Sequence, residues 1–417
     1  MPQVEARLTG REGVSMPEQV LLRGAVAFDP ATHGFAFPNA FVNEVLTLPN
    51  GAKITTSGRC GGMAYASLDY FLAGQPVPAW RADLWAPSRV PPDSHWLAQL
   101  FTQRLRDSFF TGSAAKFVTW SMHSDDETWV FKGVTRWTKE EELPRLMKSI
   151  DAGRPVVLGL VVARSLASIG DNHQVIAYGY EQDRATGRTT VQVYDNNSVG
   201  KAVTLTSDRD QPDWNASNGH TWRGFFLQDY TPRRPRVLTR RPPGVKDQVS
   251  TGDTVKLSHV WTGLTLHSHD LPYTHRDSDG LQQVTCFSGS DDNDRWLLVG
   301  TAGTPAGTAL HDGSVLRLRH VSTGRWLRSE SGIPSPLTRQ QQVSAVDTPD
   351  SSADWRVEIV DDRPWTAGAR VRLVHVASGA ALHSHRASDP RLTAGQQEVT
   401  GYAERDVNDW WTVLELS

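Results

Sequence analysis

The 417-residue chain carries 43 Lys plus Arg against 46 Asp plus Glu, a formal net charge of -3, with 2 Cys and 15 Trp. Its length exceeds one typical domain and suits two or three, each able to bury a core, and the near-neutral balance supplies no field that favours nucleic acid or an anionic membrane surface. Two cysteines exclude a disulfide scaffold, and 21% charged against 38% hydrophobic residues excludes a disordered chain.

The N-terminal stretch has acidic residues early and no apolar run followed by a small-residue cleavage site. No window approaches the roughly 18–20 apolar residues of a membrane span, so a protein made and kept in the cytoplasm is expected. The segment TTSGRCGGMAYASLDYFLAG turns through glycines and then becomes helical, because Met63, Ala64, Leu68, Phe71 and Leu72 supply an apolar stripe that Gly74 ends. Cys60 therefore opens a helix, where unpaired N–H groups and the helix dipole favour a thiolate. Two more helices are predicted in HWLAQLFTQRLRDSFFTG and KEEELPRLMKSIDAG.

Strands follow the helices: RPVVLGLVVA, QVIAYGYEQ, TTVQVYDNN and KAVTLTS, joined by Gly and Asn turns, predict an antiparallel sheet. His173 opens the second strand and Asp195 ends the third, so the hairpin places two rim positions side by side. Acyl transfer by a thiol needs a nucleophile, an imidazole to take its proton and a polar group to orient that imidazole. Cys60, His173 and Asp195 are the candidate catalytic residues, with Asn196 or Asn197 as alternatives for the third.

The segments GRCGGM, DNHQVIAYGY and VQVYDNN resemble the cysteine, histidine and Asn/Asp segments of the papain-like cysteine peptidase superfamily, whose bacterial branch includes leader-processing peptidases of peptide exporters. The resemblance spans about residues 35–205. It implies a papain-like α+β fold and a thiol-dependent hydrolase, a cysteine peptidase or amidase. Cys60 would attack the carbonyl, His173 would act as base and then acid, and Asp195 would orient His173. The glutamine this superfamily usually carries before its cysteine is missing from AKITTSGR, which leaves the Cys60 N–H as one oxyanion donor and Thr56, Ser57 or a more distant side chain as the other. The alternative is a catalytically inactive papain-like binding or scaffold protein, or a related deamidase or acyltransferase. No P-loop, G-x-G-x-x-G after a strand or H-E-x-x-H occurs, so no cofactor and no catalytic metal is expected.

Five arginines and four prolines in TPRRPRVLTRRPPGVKDQVSTGD mark a linker. The expected organisation is a papain-like domain over 1–235, an Arg/Pro-rich linker over 236–250 and an all-β domain over 251–417. The last part repeats three times. His259, His320 and His375 are 61 and 55 residues apart; Gln282, Gln341 and Gln396, like Trp296, Trp355 and Trp410, are 59 and 55 apart. Each copy alternates polar and apolar residues between Thr-Gly or Ser-Gly turns, predicting four short strands per unit. Three units around a pseudo-threefold axis close a β-trefoil, with the recurring Trp sealing the barrel.

The pattern Leu-x-His-x-x-(Thr/Ser)-Gly, Leu-His-Ser-His, Gln-Gln-x-Val and Asp-x-Trp resembles the MIR domain, the trefoil of protein O-mannosyltransferases and endoplasmic-reticulum calcium channels. It implies a noncatalytic module that takes a peptide, protein or glycan ligand. His267-Ser268-His269 recurs as His383-Ser384-His385, with Arg328-Ser329-Glu330 in the middle copy. A shared structural or binding face is the expected role, against zinc binding by two imidazoles on one strand face. Asp291, Asp292 and Asp294 read as a solvated turn, and Cys286 as packing.

Overall fold

The computed structural model describes residues 21–41, 44–47, 53–56, 58–78, 80–109, 112–126, 132–236, 247–301, 303–359 and 364–417. The helices are α1 (Pro30–His33), α2 (Cys60–Leu72), α3 (Trp96–Phe109), α4 (Gly112–Met122), α5 (Val134–Trp137) and α6 (Leu143–Asp151); α2, α3 and α6 fall in the three predicted segments, and α1, α4 and α5 are additional to them.

Strands β1 (Leu21–Ala25), β2 (Glu44–Thr47) and β3 (Lys53–Thr56) flank α1 and α2 in sequence, and β2 and β3 form a separate hairpin. After α6 come β4 (Val156–Val161), β5 (His173–Asp183), β6 (Thr189–Tyr194), β7 (Ala202–Ser207), β8 (Trp214–Ala216), β9 (Thr221–Trp222) and β10 (Gly224–Leu227). Their order in one sheet is β10-β4-β5-β6-β7-β8-β9, with β1 also against β5, and every pairing is antiparallel. The unbroken apolar run of β5 is explained by burial on both faces. Val175 and Ala177 meet Leu143, Leu146 and Ile150 of α6, while Ile176 and Tyr178 meet Ala64, Tyr65 and Leu68 of α2.

The papain-like α+β expectation for the first half is corrected here. The chain is dominated by antiparallel sheet: an eight-stranded curled half-barrel, then a closed barrel, with short helices as cover. Strands of two to six residues between Ala202 and Leu227 extend the sheet further than their brief apolar runs announce.

The glycines after Cys60 have a packing reason. A Cβ on Gly61 would overlap the side chain of Gln174 on β5, and one on Gly62 would overlap the carbonyl of Phe101 on α3. Cys-Gly-Gly thus permits the close approach of α2 to both neighbours.

Three four-stranded units follow: β11–β14 (Thr254–His259, Thr265–Pro272, Gln282–Phe287, Arg295–Gly300), β15–β18 (Val315–His320, Trp326–Pro334, Gln341–Val346, Trp355–Ile359) and β19–β22 (Val371–His375, Ala381–Ser388, Gln397–Tyr402, Trp411–Leu416). β22 returns to pair with β11, and the twelve strands form one sheet. The second strand of each unit pairs with its third, and the three third strands meet one another around the pseudo-threefold axis.

The threefold chemistry is regular. His259, His320 and His375 each bond through Nδ1 to Thr262, Thr323 or Ser378 at 2.8 Å, and through Nε2 to the carbonyl of Asn408, Asn293 or Ser352 at 2.9–3.0 Å. Each histidine therefore clasps the turn of the preceding unit, the first clasping the third. Trp296, Trp355 and Trp411, all fully buried, donate Nε1–H to the carbonyls of Leu266, Leu327 and Leu382. Gln282, Gln341 and Gln397 donate to Ser268, Ser329 and Ser384, each at 2.7 Å.

Two landmarks of the third copy are thus displaced by one residue from the sequence reading. Gln397 replaces Gln396, and Trp411 replaces Trp410. Neighbouring residues in or beside a strand point to opposite faces, so a one-residue slip exchanges core for surface.

Of the linker placed at 236–250, residues 237–246 lie outside the described residues. Arg236 donates to the Ser288 carbonyl and lies 4.8 Å from the Trp96 ring, while Val249 is already in the barrel core. One apolar cluster joins the two halves: Phe41, Trp80, Trp85 and Leu97 pack with Val260, Trp410 and Leu414.

Candidate functional site

Pairing of β4 with β5 puts Leu160 opposite His173, and the β5–β6 hairpin pairs Ile176 with Tyr194. The start of β5 and the residue after β6 therefore meet. His173 Nε2 and Asp195 Oδ1 are 2.8 Å apart, and both side chains are buried. The Asn197 backbone N–H donates to Asp195 Oδ1 and the Asn218 amide to Oδ2, each at 2.9 Å. Trp222 lies nearly parallel to the imidazole, 5.9 Å away. Asn196 turns toward the helix instead and donates its amide to the Cys60 carbonyl at 3.0 Å. Of the three alternatives, Asp195 is the one whose side chain meets His173.

Burial alone would lower the His173 pKa, but the hydrogen bond to Asp195, with Cys60 acting in the same sense, pushes it up to about 10. Burial would raise Asp195, yet His173, Asn197 and Asn218 hold it below the ordinary carboxylate range. The pair is an ion pair at neutral pH, with the half-buried Cys60 beside it. Asn218 and Trp222 escape the sequence reading, although Asn218-Gly219 is the dipeptide that closes a tight hairpin. Of the two oxyanion candidates, Ser57 lies outside the described residues and so does the side chain of Thr56.

The barrel carries two matching clusters. His267 Nδ1 is 3.0 Å from Asp294 Oδ1 and 3.7 Å from Asp291; His383 Nδ1 is 2.9 Å from Asp409 and 3.6 Å from Asp406. Among the described residues these are the groups of three His, Cys, Asp or Glu whose ligand atoms all lie within 4.8 Å of one another, and Cys60 belongs to neither. The carboxylates also have a structural role, since Asp291 and Asp406 cap one-turn 3-10 helices in capping boxes closed by Asp294 and Asp409. Lys256 Nζ at 3.8 Å from Asp294, and Arg372 Nε at 3.6 Å from Asp409, already balance the buried charge. Where the outer units have His and Asp, the middle unit has Arg328 and Ala353.

Beside each cluster stands the second imidazole of the His-Ser-His pair and an aromatic ring. His267 and His269 are 5.3 Å apart by ring centroid and Phe287 is 5.0 Å from His267; His383 and His385 are 5.3 Å apart and Tyr402 is 4.8 Å from His383. His269 Nε2 and both ring nitrogens of His385 make no hydrogen bond, while Glu398 Oε2 lies 3.7 Å from His385. Burial lowers the pKa of both imidazoles, so they are neutral at pH 7.

These features define a β-trefoil protein of MIR-like build, with a buried ion pair in the half before the barrel and two matching imidazole faces on it. The chain belongs to the stromal cell-derived factor 2-like family. It is 35% identical over 175 residues to a stromal cell-derived factor 2-like protein of Arabidopsis thaliana, covering 40% of this chain and 79% of that protein. With stromal cell-derived factor 2 of Homo sapiens it shares 34% over 173 residues, 40% of this chain and 80% of that one. The crystal structure of the SDF2-like protein from Arabidopsis thaliana is 33% identical and covers 41% of this chain and 96% of its own, with a TM-score of 0.39. No family model matches the chain.

The expectation of a papain-like, thiol-dependent hydrolase, whether peptidase or amidase, is corrected by these findings. The relatives are SDF2-like proteins, the Cys-Gly-Gly signature is accounted for by close helix packing, and Cys60 enters no compact cluster of ligand-type side chains among the described residues. Cys286 is buried in the barrel core, its pKa pushed up to about 12 by burial. No helix among the described residues is long and apolar enough to cross a membrane.

Proposed function

We propose that this chain is a binding protein whose recognition module is the barrel, with the half before it as scaffold. The observation that carries the reading is the repeat itself: the outer units keep an aromatic ring and a pair of imidazoles beside a partly exposed carboxylate, while the middle unit keeps that carboxylate as Asp350 but has Arg328 and Glu330 in place of the imidazoles and Val346 in place of the ring. A ring for stacking, neutral imidazoles that both donate and accept, and a carboxylate acceptor suit a polyhydroxylated ligand, and a glycan is the class we assign. Unpartnered buried nitrogens on His269 and His385 support the same reading, because native proteins rarely leave such groups unsatisfied.

The test is a glycan array probed with the full chain, followed by titration calorimetry on the best ligand. Replacing His269 and His385 together by Ala should weaken binding at least tenfold, while Glu330→Ala and Cys60→Ala should leave it unchanged. An array without hits, or equal losses from the Glu330 variant, would sink the proposal.

We propose that the His173–Asp195 ion pair, with Cys60 beside it, ties the tip of α2 to the sheet rim. The raised His173 pKa supports it, since Asp195 and Cys60 both favour the imidazolium. Iodoacetamide at near-neutral pH should label Cys60 and spare Cys286, and His173→Ala should slow labelling of Cys60. Unchanged labelling in that variant would detach Cys60 from the pair.

A further inference from the structure

A cleft of about 420 Å³ runs between the two halves of the molecule. Phe41, Leu84, Trp85 and the residues 86–88 and 90–93 form one wall, and Val260, Trp261, Arg370, Val407 and Trp410 of the barrel form the other. Its volume lies inside the range of small-molecule sites, about 300–1,000 Å³.

The barrel's own symmetry supplies an internal control. Trp261 corresponds to Ser322 and Ala377 in the other units, Val407 to Asp292 and Ser351, and Trp410 to Arg295 and Asp354. At all three positions the cleft-facing side has a large apolar residue where the other two units have small or polar ones. Packing between the halves accounts for part of this, because Trp410 and Val260 join the shared apolar cluster. It does not account for Trp261 and Val407, which line the cleft yet remain 38% and 51% exposed. Isolated exposed apolar residues are ordinary, but two of them beside Trp85, Trp410 and Phe41 in one concave site are not.

The charges at the cleft are unequal. Asp93 is engaged by the buried guanidinium of Arg59 at 2.5 Å. Arg370 faces the Trp410 ring at 5.3 Å and pairs with no carboxylate among the described residues. Arg372, whose guanidinium lies 3.6 Å from the same ring, is matched by Asp409. One guanidinium is therefore left at the edge of an aromatic wall, and it can form a bidentate pair with a planar acid.

We propose that this cleft is a binding site for a small aromatic carboxylate, its ring stacked among Trp85, Trp261 and Trp410 and its acid group on Arg370. The site is separate from the imidazole faces of the barrel and stands or falls independently of glycan binding.

The experiment uses the full chain and two probes of nearly the same shape, 1-naphthylacetate and the uncharged 1-naphthylacetamide, titrated by calorimetry at low ionic strength. The acid should bind at least about fivefold more tightly than the amide, as expected for one charge-assisted pair at a partly exposed site. Arg370→Gln should bring the two probes level without abolishing binding. Trp261→Ala should weaken both by up to about tenfold, whereas Trp326→Ala, at another arginine-faced tryptophan, should change neither. Circular dichroism would show that each variant keeps its fold. Equal affinity of the two probes for the native chain overturns the proposal, as does a preference that survives Arg370→Gln or the absence of binding at millimolar probe. Self-association that Trp261→Ala abolishes would overturn it as well, assigning the cleft to a second copy of the chain.

Discussion

The three histidine clasps of the barrel make a quantitative prediction about acid. His259 is completely buried, with Nδ1 on Thr262 and Nε2 on the Asn408 carbonyl, and burial takes its pKa from 6.5 down to about 3. The folded state therefore excludes the proton that the unfolded chain accepts near pH 6.5, so stability falls as pH drops below that value. Between pH 7 and pH 5 the linkage amounts to about 2 kcal/mol for this one residue, at 1.36 kcal/mol per unit of pKa difference. His95, also fully buried and lowered to about 3, adds a similar loss, and His320 and His375 are shifted in the same direction. His173 opposes them. Its raised pKa stabilises the fold below about 10, but most of that gain is already present at pH 7, and only about 1 kcal/mol more accrues by pH 5. Urea unfolding at pH 7 and pH 5 measures the balance. The native chain should lose several kcal/mol on acidification. His259→Gln should be less stable by about 1–3 kcal/mol at pH 7, from the two lost hydrogen bonds, yet lose about 2 kcal/mol less than the native chain on going to pH 5. An identical acid loss in both proteins would refute the clasp as a source of pH dependence.

Asp195→Asn removes the main support of the His173 imidazolium and leaves burial opposed by Cys60 alone, so the His173 pKa should fall well below about 10, read by imidazole NMR titration. Gly62→Ala should destabilise the first half by at least about 1–3 kcal/mol, because the new methyl meets the Phe101 carbonyl and not a side chain that can move; unfolding monitored by far-UV dichroism would show it. Trp355→Ala opens a cavity in the barrel core and leaves the Leu327 carbonyl without its donor, for about 3–5 kcal/mol. Trp410→Ala should cost clearly less in barrel stability while loosening the joint between the halves, visible as faster proteolysis near residues 85–95.

The trefoil is legible in the sequence because every structural position is stated three times, and the spacing of His259, His320 and His375 alone defines the period. The third copy is misread by one residue for a physical reason. Gln396-Gln397 and Trp410-Trp411 are doublets of identical residues, and either member satisfies a spacing rule. Only the direction of the side chain separates Gln397, which bonds Ser384, from Gln396, which accepts from Thr285. In the first half, α2, α3 and α6 announce themselves through apolar periodicity, whereas β8, β9 and β10 are two to four residues long and leave no periodic trace. The meeting of His173 with Asp195 is legible as a hairpin rim. The supporting Asn218 sits in an Asn-Gly turn whose signal is local and names no partner, and Trp222 lies in a two-residue strand with no periodic trace.

The chemical misreading has a different origin. A cysteine followed by two glycines at a helix start resembles a nucleophile motif, but the same letters follow from packing: Gly61 must clear Gln174 and Gly62 must clear Phe101 wherever α2 crosses the sheet and α3 this closely. A pattern with a sufficient steric cause carries little information about reactivity. The repeat offers the opposite case. Trp261, Val407 and Trp410 occupy positions where the other units have Ser322 and Ala377, Asp292 and Ser351, Arg295 and Asp354, and no requirement of the barrel explains the change. Departures from an internal repeat are therefore a better guide to recruited surface than resemblance to a distant motif, since the remaining copies show what the fold alone demands.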